Sequence, residues 1–175
     1  MVQLDEYDTF KDFGKDYPSS VGYKKIWVKG VYSDNHDGRH KSRLVDYGHI
    51  TDIPVWSVYS GVFSLRVIWI LLFLAKLNKM EMWTTYIVNA YLEAKTLDKV
   101  YRLSGTEFGD REGKILIVSN ALYGLRYSGP ICNKRFADCL RDMVVFMCKL
   151  EPHIWIWHNG DIYEYIYIYN YYLSI

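Results

Sequence analysis

The sequence predicts a chain of mixed helix and strand, and three observations carry that expectation. Half of its 175 residues are hydrophobic and 23% are charged, enough apolar surface to offset the entropy of ordering, so a disordered or collagen-like chain is excluded. Two stretches read as helices, 62–77 from a long continuous apolar run and 130–144 from apolar residues at helical spacing. Several shorter runs rich in β-branched and aromatic residues are bounded by turn signals and read as strands. The length suits one domain, over residues 21–175, preceded by a lead-in over 1–20.

Taken in order, residues 1–20 hold Asp5, Glu6, Asp8, Asp12 and Asp16 against Lys11 and Lys15, with Gly14 and Pro18 as breakers. They read as a solvated segment. From 21 to 50 the charge balance reverses, Ile26-Trp27-Val28 begins a strand, and Asp37-Gly38 stands where a hairpin would turn. Val62 to Leu77 is too continuously apolar for a surface helix and too long for one strand, which predicts a mostly buried helix. Met82 to Leu92 reads as a strand running into a turn, Asp98 to Arg102 as a short strand, Glu107 to Gly113 as a polar loop, and Lys114 to Val118 as a strand.

Ser128-Gly129-Pro130 offers an N-cap hydroxyl with proline in the first turn. Cys132, Phe136, Cys139, Leu140 and Met143 follow at helical spacing, predicting a helix over about 130–144. Ile154 to Trp157, the turn His158-Asn159-Gly160-Asp161, and Ile162 to Tyr169 form a final hairpin. Seventeen tyrosines are present, six of them crowded between Tyr163 and Tyr172.

Lys and Arg number 21 against 20 Asp and Glu, so net charge selects no partner and the distribution must decide. Three cysteines, Cys132, Cys139 and Cys148, make no disulfide framework. The first ten residues have neither a basic nor an apolar leader region, so the chain reads as intracellular and not secreted, its compartment otherwise unknown. The longest apolar run, Val67 to Ala75, is far short of the roughly 20 residues of a membrane span, and no membrane segment is expected.

Strand alternation would place Arg39, Lys41 and Arg43 on one face and His40, Ser42 and Leu44 on the other, a row of cations suited to phosphates. A solvated face is the plainer reading of such a run taken alone. Arg126, Lys134, Arg135 and Arg141 form a second basic stretch, with an exposed helix face as the plainer reading. Cys148, His153 and His158 space as C-x4-H-x4-H, which lacks the close cysteine pair and fourth ligand of a structural zinc site. His36 and His40 flank the expected turn and read as solvated, Cys132 and Cys139 as core. No spacing supports Ser-His-Asp or Cys-His catalysis.

The segments DGRHKSRLVDYGH, SVYSGVFSLR, WTTYIVNAYLEAKTLDKVY, ALYGLRYSG followed by a helix, and EYIYIYNYYLSI occur in that order. Together they resemble the reverse transcriptase of Ty1/copia-type retrotransposons, over about residues 20–175. The resemblance implies an α+β right-hand polymerase fold, fingers and partial palm with an antiparallel sheet and the thumb absent. It also implies RNA-directed DNA synthesis on an RNA or DNA template-primer, with two Mg²⁺ ions held by aspartates. By the same resemblance Lys41 and Arg43 match the fingers residues that approach the triphosphate, and Tyr91 matches the aromatic under the incoming sugar. Ordinary core packing is the plainer reading of Tyr91.

The family's first aspartate opens a pattern Asp-Val-x-x-Ala-Phe/Tyr, matched by Tyr86-Ile87-Val88-Asn89-Ala90-Tyr91; its other two lie in Tyr-Val-Asp-Asp, matched by Tyr169-Asn170-Tyr171-Tyr172. Tyr86, Tyr171 and Tyr172 thus occupy all three metal-binding positions, each one base change from aspartate. Glu93 and Glu164 lie too far along the chain to replace them. No intact catalytic residue, no metal ligand and no bound cofactor is therefore expected of this chain, although the family uses Mg²⁺. The family's Tyr-Gly-Leu-Lys-Gln-Ala-Pro reads here Tyr123-Gly124-Leu125-Arg126-Tyr127-Ser128-Gly129, and its following tryptophan is Cys132.

The expectation is a degenerate, truncated and catalytically dead reverse transcriptase domain. The competing reading is a non-catalytic nucleic-acid-binding or structural subunit that keeps the basic fingers face. The run Ile162 to Ile175 has high β-propensity and a single charge, which predicts self-association through the C-terminal strand.

Overall fold

The computed structural model describes residues 2–15, 22–34, 38, 40–47, 65–85, 87–160 and 162–167. The turn around Asp37, together with His36, Arg39, Tyr86, Tyr171 and Tyr172, lies outside the described residues. The chain divides into two compact units, Met1–Tyr59 with Asn89–Arg135, and Ser60–Val88 with Phe136–Ile175. The secondary structure is mixed α and β, with several small sheets and few helices.

The first unit holds α1 (Val2–Glu6), β1 (Phe10–Asp12), β2 (Lys24–Lys25), β3 (Val28–Asp34), β4 (His40–Asp46), β5 (Val100–Leu103) and β6 (Ile115–Val118). A four-stranded sheet runs β1-β6-β5-β2. β6 pairs antiparallel with both β1 and β5, and β2 pairs parallel with β5. Phe10, Ile26, Val100, Phe108, Leu116, Val118, Leu122 and Leu125 form its buried core. Within the segment expected to be a solvated lead-in, Phe10–Asp12 is instead an edge of this sheet. Phe10 is the reason, because its ring is buried edge-on against Phe108 at 5.4 Å between centroids, and Asp12 and Asp5 are engaged by Lys114 and Arg111 at 2.7 and 2.6 Å.

β3 and β4 form a separate antiparallel hairpin in seven-residue register from Val28↔Asp46 to Asp34↔His40. Two short 3-10 helices, Ala90–Glu93 and Thr106–Arg111, replace the end of one predicted strand and most of the predicted polar loop. The strand expected over Met82 to Leu92 is absent among the described residues of that run. Asn89 adopts a left-handed φ of 55°, which breaks an extended backbone, and no ladder partner is described for it.

The second unit holds α2 (Leu65–Leu77), the last part of α3 (Ser128–Asp142), and a meander of β7 (Phe146–Met147), β8 (Ile154–Asn159) and β9 (Ile162–Tyr167). Leu140, Val145 and Trp155 form its core with Phe136, Ala137, Trp157 and Ile166 against them. The expectation of a buried helix over 62–77 is corrected here: no residue of α2 is buried. Leu65, Trp69, Phe73 and Leu77 are exposed at four-residue intervals, because the small core of this unit is filled from α3, β8 and β9. No helix among the described residues is long and apolar enough to cross a membrane.

α3 starts two residues earlier than the sequence spacing suggests. The Ser128 hydroxyl does not act as the expected cap; it donates backward to the Leu122 carbonyl at 2.6 Å. Cys132 and Cys139 are half-buried rather than fully in the core.

Candidate nucleic-acid interface

Three elements of the first unit converge on the tyrosine of the loop between β6 and α3. Leu122 and Leu125 bury on either side of Tyr123, and the Ser128 hydroxyl ties down the Leu122 carbonyl. The Tyr123 ring is left half-buried between two other groups. The Tyr91 ring meets it edge-on at 4.6 Å and 88°, and the Arg43 guanidinium lies over it at 5.7 Å from the centroid. An arginine above a tyrosine face is held electrostatically by the ring quadrupole while its N–H groups stay available for a phosphate or carboxylate.

Each member has an identifiable anchor. Tyr91 sits in the 3-10 helix Ala90–Glu93, whose Leu92 enters the core. Buried Asn120 donates to the Leu92 and Tyr7 carbonyls, both at 2.7 Å, and accepts from Lys95 Nζ at 2.8 Å. Arg43 sits on β4, opposite Val31. The base of β4 is stitched to the Tyr123 loop, since the Asp46 N–H donates to the Tyr123 carbonyl at 2.6 Å and Val45 bridges Tyr123. Gly124 permits that approach: its φ is 96°, and a Cβ there would overlap the Asp46 carbonyl.

Asp46 is the electrostatic oddity at this seam. It is 4% exposed, and neither carboxylate oxygen has a hydrogen-bond partner among the described residues. Burial pushes its pKa up to about 6, and neighbouring Asp98 adds to the rise, against the pull of the Tyr47 amide. That amide donates to the Trp27 carbonyl.

The structure therefore gathers Arg43 and Tyr91, two of the residues singled out in the sequence, around Tyr123. Lys41 pairs in register with Ser33, on the same strand as Arg43. Tyr86, Tyr171 and Tyr172 lie outside the described residues. The second basic stretch is not gathered: Lys134 and Arg135 are exposed, whereas Arg141 is paired with Asp138 at 2.8 Å and lies over the Trp155 ring. His40 is exposed and its Nδ1 is 2.6 Å from Asp34. Cys132 donates to the Ala90 carbonyl, and burial raises its thiol pKa to about 11, which makes it unreactive at neutral pH. No group of three His, Cys, Asp or Glu side chains suited to a metal is found among the described residues.

Sequence reasoning quoted Tyr123 only as part of a motif and passed over Lys25, Trp27, Lys29 and Tyr47. The Lys25 Nζ stands 5.0 Å over the Trp27 ring and Lys29 Nζ 5.4 Å over Tyr47. The signal that would have found them is the alternation Lys25-x-Trp27-x-Lys29, which runs from the end of β2 into the start of β3.

No curated protein and no solved structure gives a significant match to the chain. A family model described as reverse transcriptase (RNA-dependent DNA polymerase) matches residues 15–172. With nearly the whole chain covered, including the hairpin, the Tyr91 helix and the Tyr123 loop, this protein belongs to the reverse transcriptase (RNA-dependent DNA polymerase) family.

Proposed function

We propose that the chain is a Ty1/copia-type reverse transcriptase domain, fingers and part of the palm over residues 21–175, whose polymerase chemistry has been lost. The order of its motifs supports the subtype, and one observation carries the loss: Tyr86, Tyr171 and Tyr172 stand at the three positions where the family pattern has aspartate. Mg²⁺ takes hard, charged oxygens in near-octahedral geometry. A phenol with its ordinary pKa of about 10 is neutral at pH 7, so three such donors bring none of the negative charge that two dications require. The donor set does not fit the metal, and no catalytic step is derived through it.

What remains is the capacity to hold a template-primer of RNA or DNA, the partner that family membership implies. The Arg43–Tyr123–Tyr91 cluster supports Lys41, Arg43 and Tyr91 as the nucleotide end of that site. The same reading includes self-association through the C-terminal strand, supported by the position of β9 at the end of its sheet among the described residues.

Primer extension tests the proposal. The purified chain with primer, template, deoxynucleotides and Mg²⁺ or Mn²⁺ extends no primer, and template-dependent extension above a no-protein control would refute it. Calorimetry gives a second readout. The parent takes up no Mn²⁺, whereas the variant with Tyr86→Asp, Tyr171→Asp and Tyr172→Asp does; equal uptake by both would show that the tyrosines are not at the metal positions.

A further inference from the structure

α2 is apolar on every side. Of its 13 residues only Arg66 and Lys76 are polar, and at about 100° per residue the burial pattern divides the helix into two arcs. Val67, Ile68, Leu71, Leu72, Leu74 and Ala75 are half-buried and share one of them. Leu65, Trp69, Ile70, Phe73 and Leu77 fill the other, an arc about 140° wide, and are between 56% and 71% exposed. A helix on the surface of a domain turns an apolar stripe inward and a charged face outward, whereas one that is apolar all round is covered. α2 has the composition of the second kind and the exposure of the first. At roughly 150–250 Å² for each aromatic side chain and less for each aliphatic one, the outward arc leaves about 600 Å² of apolar surface in water, the upper end of the largest patch on an ordinary monomer. The buried core of the same unit, Leu140, Val145 and Trp155, is small beside it.

We propose that the outward arc of α2 is a dimer contact, and that its occupant is the same arc of a second copy of this chain. Two copies withdraw about 1,200 Å² from water through this arc alone, which reaches the size of a stable, specific interface. The shape suits a two-fold axis. Leu65, Trp69, Phe73 and Leu77 lie at four-residue intervals and form one ridge, and two such ridges interdigitate when the helices cross at about −50°. A crossing centred near Ile70 and Phe73 sets Arg66 and Lys76 about 7 Å along the axis on either side of it. With axes about 8–10 Å apart and diverging from the crossing, the cations of the two copies stand about 10 Å or more from one another, beyond the Debye length at physiological salt. A lipid surface suits the arc less well: 13 residues make a helix about 20 Å long, short of a span, and a helix lying in the interface needs the strongly charged face that α2 lacks. This contact is separate from pairing through β9 and does not depend on the nucleic-acid reading.

Sedimentation equilibrium tests the contact in the full chain carrying Tyr165→Lys and Tyr167→Lys, which blunt association through β9. That chain is dimeric at about 10 μM. Trp69→Glu with Phe73→Glu, and separately Trp69→Lys with Phe73→Lys, each weaken the dimer by about a hundredfold or more and leave monomer at the same concentration. An equimolar mixture of the glutamate and lysine chains restores a dimer, which requires two copies to meet through this arc. The changed side chains are exposed, and far-UV circular dichroism shows whether each variant is folded. Should a charged variant fold poorly, benzoylphenylalanine in place of Ile70 keeps the arc apolar, and irradiation joins one copy to residues 65–77 of an isotope-labelled copy. A chain with the two β9 lysines that is monomeric overturns the proposal. So does a dimer that either charged pair leaves intact, a mixture of folded charged variants that stays monomeric, or a crosslink that lands outside 65–77. Monomers that bind vesicles of anionic lipid through α2 also overturn it and assign the arc to a membrane surface.

Discussion

Gly124→Ala strikes the seam where the β3–β4 hairpin meets the Tyr123 loop, and its cost is set by two separable effects. The first is backbone strain, since a φ of 96° is foreign to an L side chain; that costs about 1–2 kcal/mol. The second is collision, because the new methyl would overlap the Asp46 carbonyl and lie close to its C and N atoms. Backbone cannot yield as a flexible side chain can, so the seam opens and the Asp46–Tyr123 hydrogen bond is lost, adding about 1 kcal/mol plus the packing released with it. The sum is about 3 kcal/mol, a large share of the roughly 5–15 kcal/mol that a domain possesses. Gly14→Ala is the control: φ is 79° but the surrounding space is open, so it bears the strain alone. Urea unfolding followed by circular dichroism reads the difference, with a midpoint shift of about 1–2 M for Gly124→Ala at a typical m-value of about 2 kcal/mol/M and about half that for Gly14→Ala. Equal shifts for the two variants would refute the close approach, and with it the structural link between Arg43 and Tyr123.

Three further outcomes are expected. Asp46 has a folded pKa of about 6 against 3.8 ordinarily, so its contribution is fully present below pH 4 and is lost as pH rises through 6, about 2–3 kcal/mol in all; Asp46→Asn removes that slope and raises the urea midpoint more at pH 7.5 than at pH 4.5, and a pH-independent effect would refute the burial argument. Tyr165→Lys with Tyr167→Lys adds charge to one face of β9, and sedimentation near pH 7 should show a self-associated parent and a more soluble variant; a monodisperse, monomeric parent would defeat this. Glu107→Ala strips the partner at 2.5 Å from Arg102, whose side chain is 8% exposed against 48% for Glu107; thermal unfolding should report a loss of about 1–2 kcal/mol, discounted for the solvent on the carboxylate side, and no loss would mean that the pair contributes nothing to the fold.

Elements with local signatures were legible. The α3 spacing from Cys132 to Leu140, the Gly160 turn between β8 and β9, and the Lys114 to Val118 strand each announce themselves within a dozen residues, and the structure places all three within two residues of expectation. Elements defined by distant partners were not. β1 reads as acidic and irregular because only Phe10 looks inward, and its partner β6 lies more than a hundred residues away. α2 reads as core from its apolar density alone, yet composition cannot say whether any neighbour covers it. At the site, Arg43 and Tyr91 were visible as motif residues. Tyr123 as their common contact was not, since no periodicity links positions 43, 91 and 123. Nothing in the sequence around Asp46 marks it as buried; its burial follows only from the register that sets it opposite Val28.

The pairing of Phe10 with Val118 and of Lys24 with Val100 also imposes an order of events on a ribosome. At about 5–20 residues per second, the strands near the start of the chain wait for several seconds before their partners are made. Throughout that interval Phe10 and Ile26, both buried in the finished core, lack their partners from β5 and β6, and among the described elements of this unit the β3–β4 hairpin is the sheet pair whose two strands are both already made. The first sheet is therefore completed late and all at once, when β5 and β6 arrive between two waiting edges. A pause in translation shortly before residue 100 would prolong the exposure of those edges, and a chain released there would have β1 and β2 with nothing to pair against except another copy.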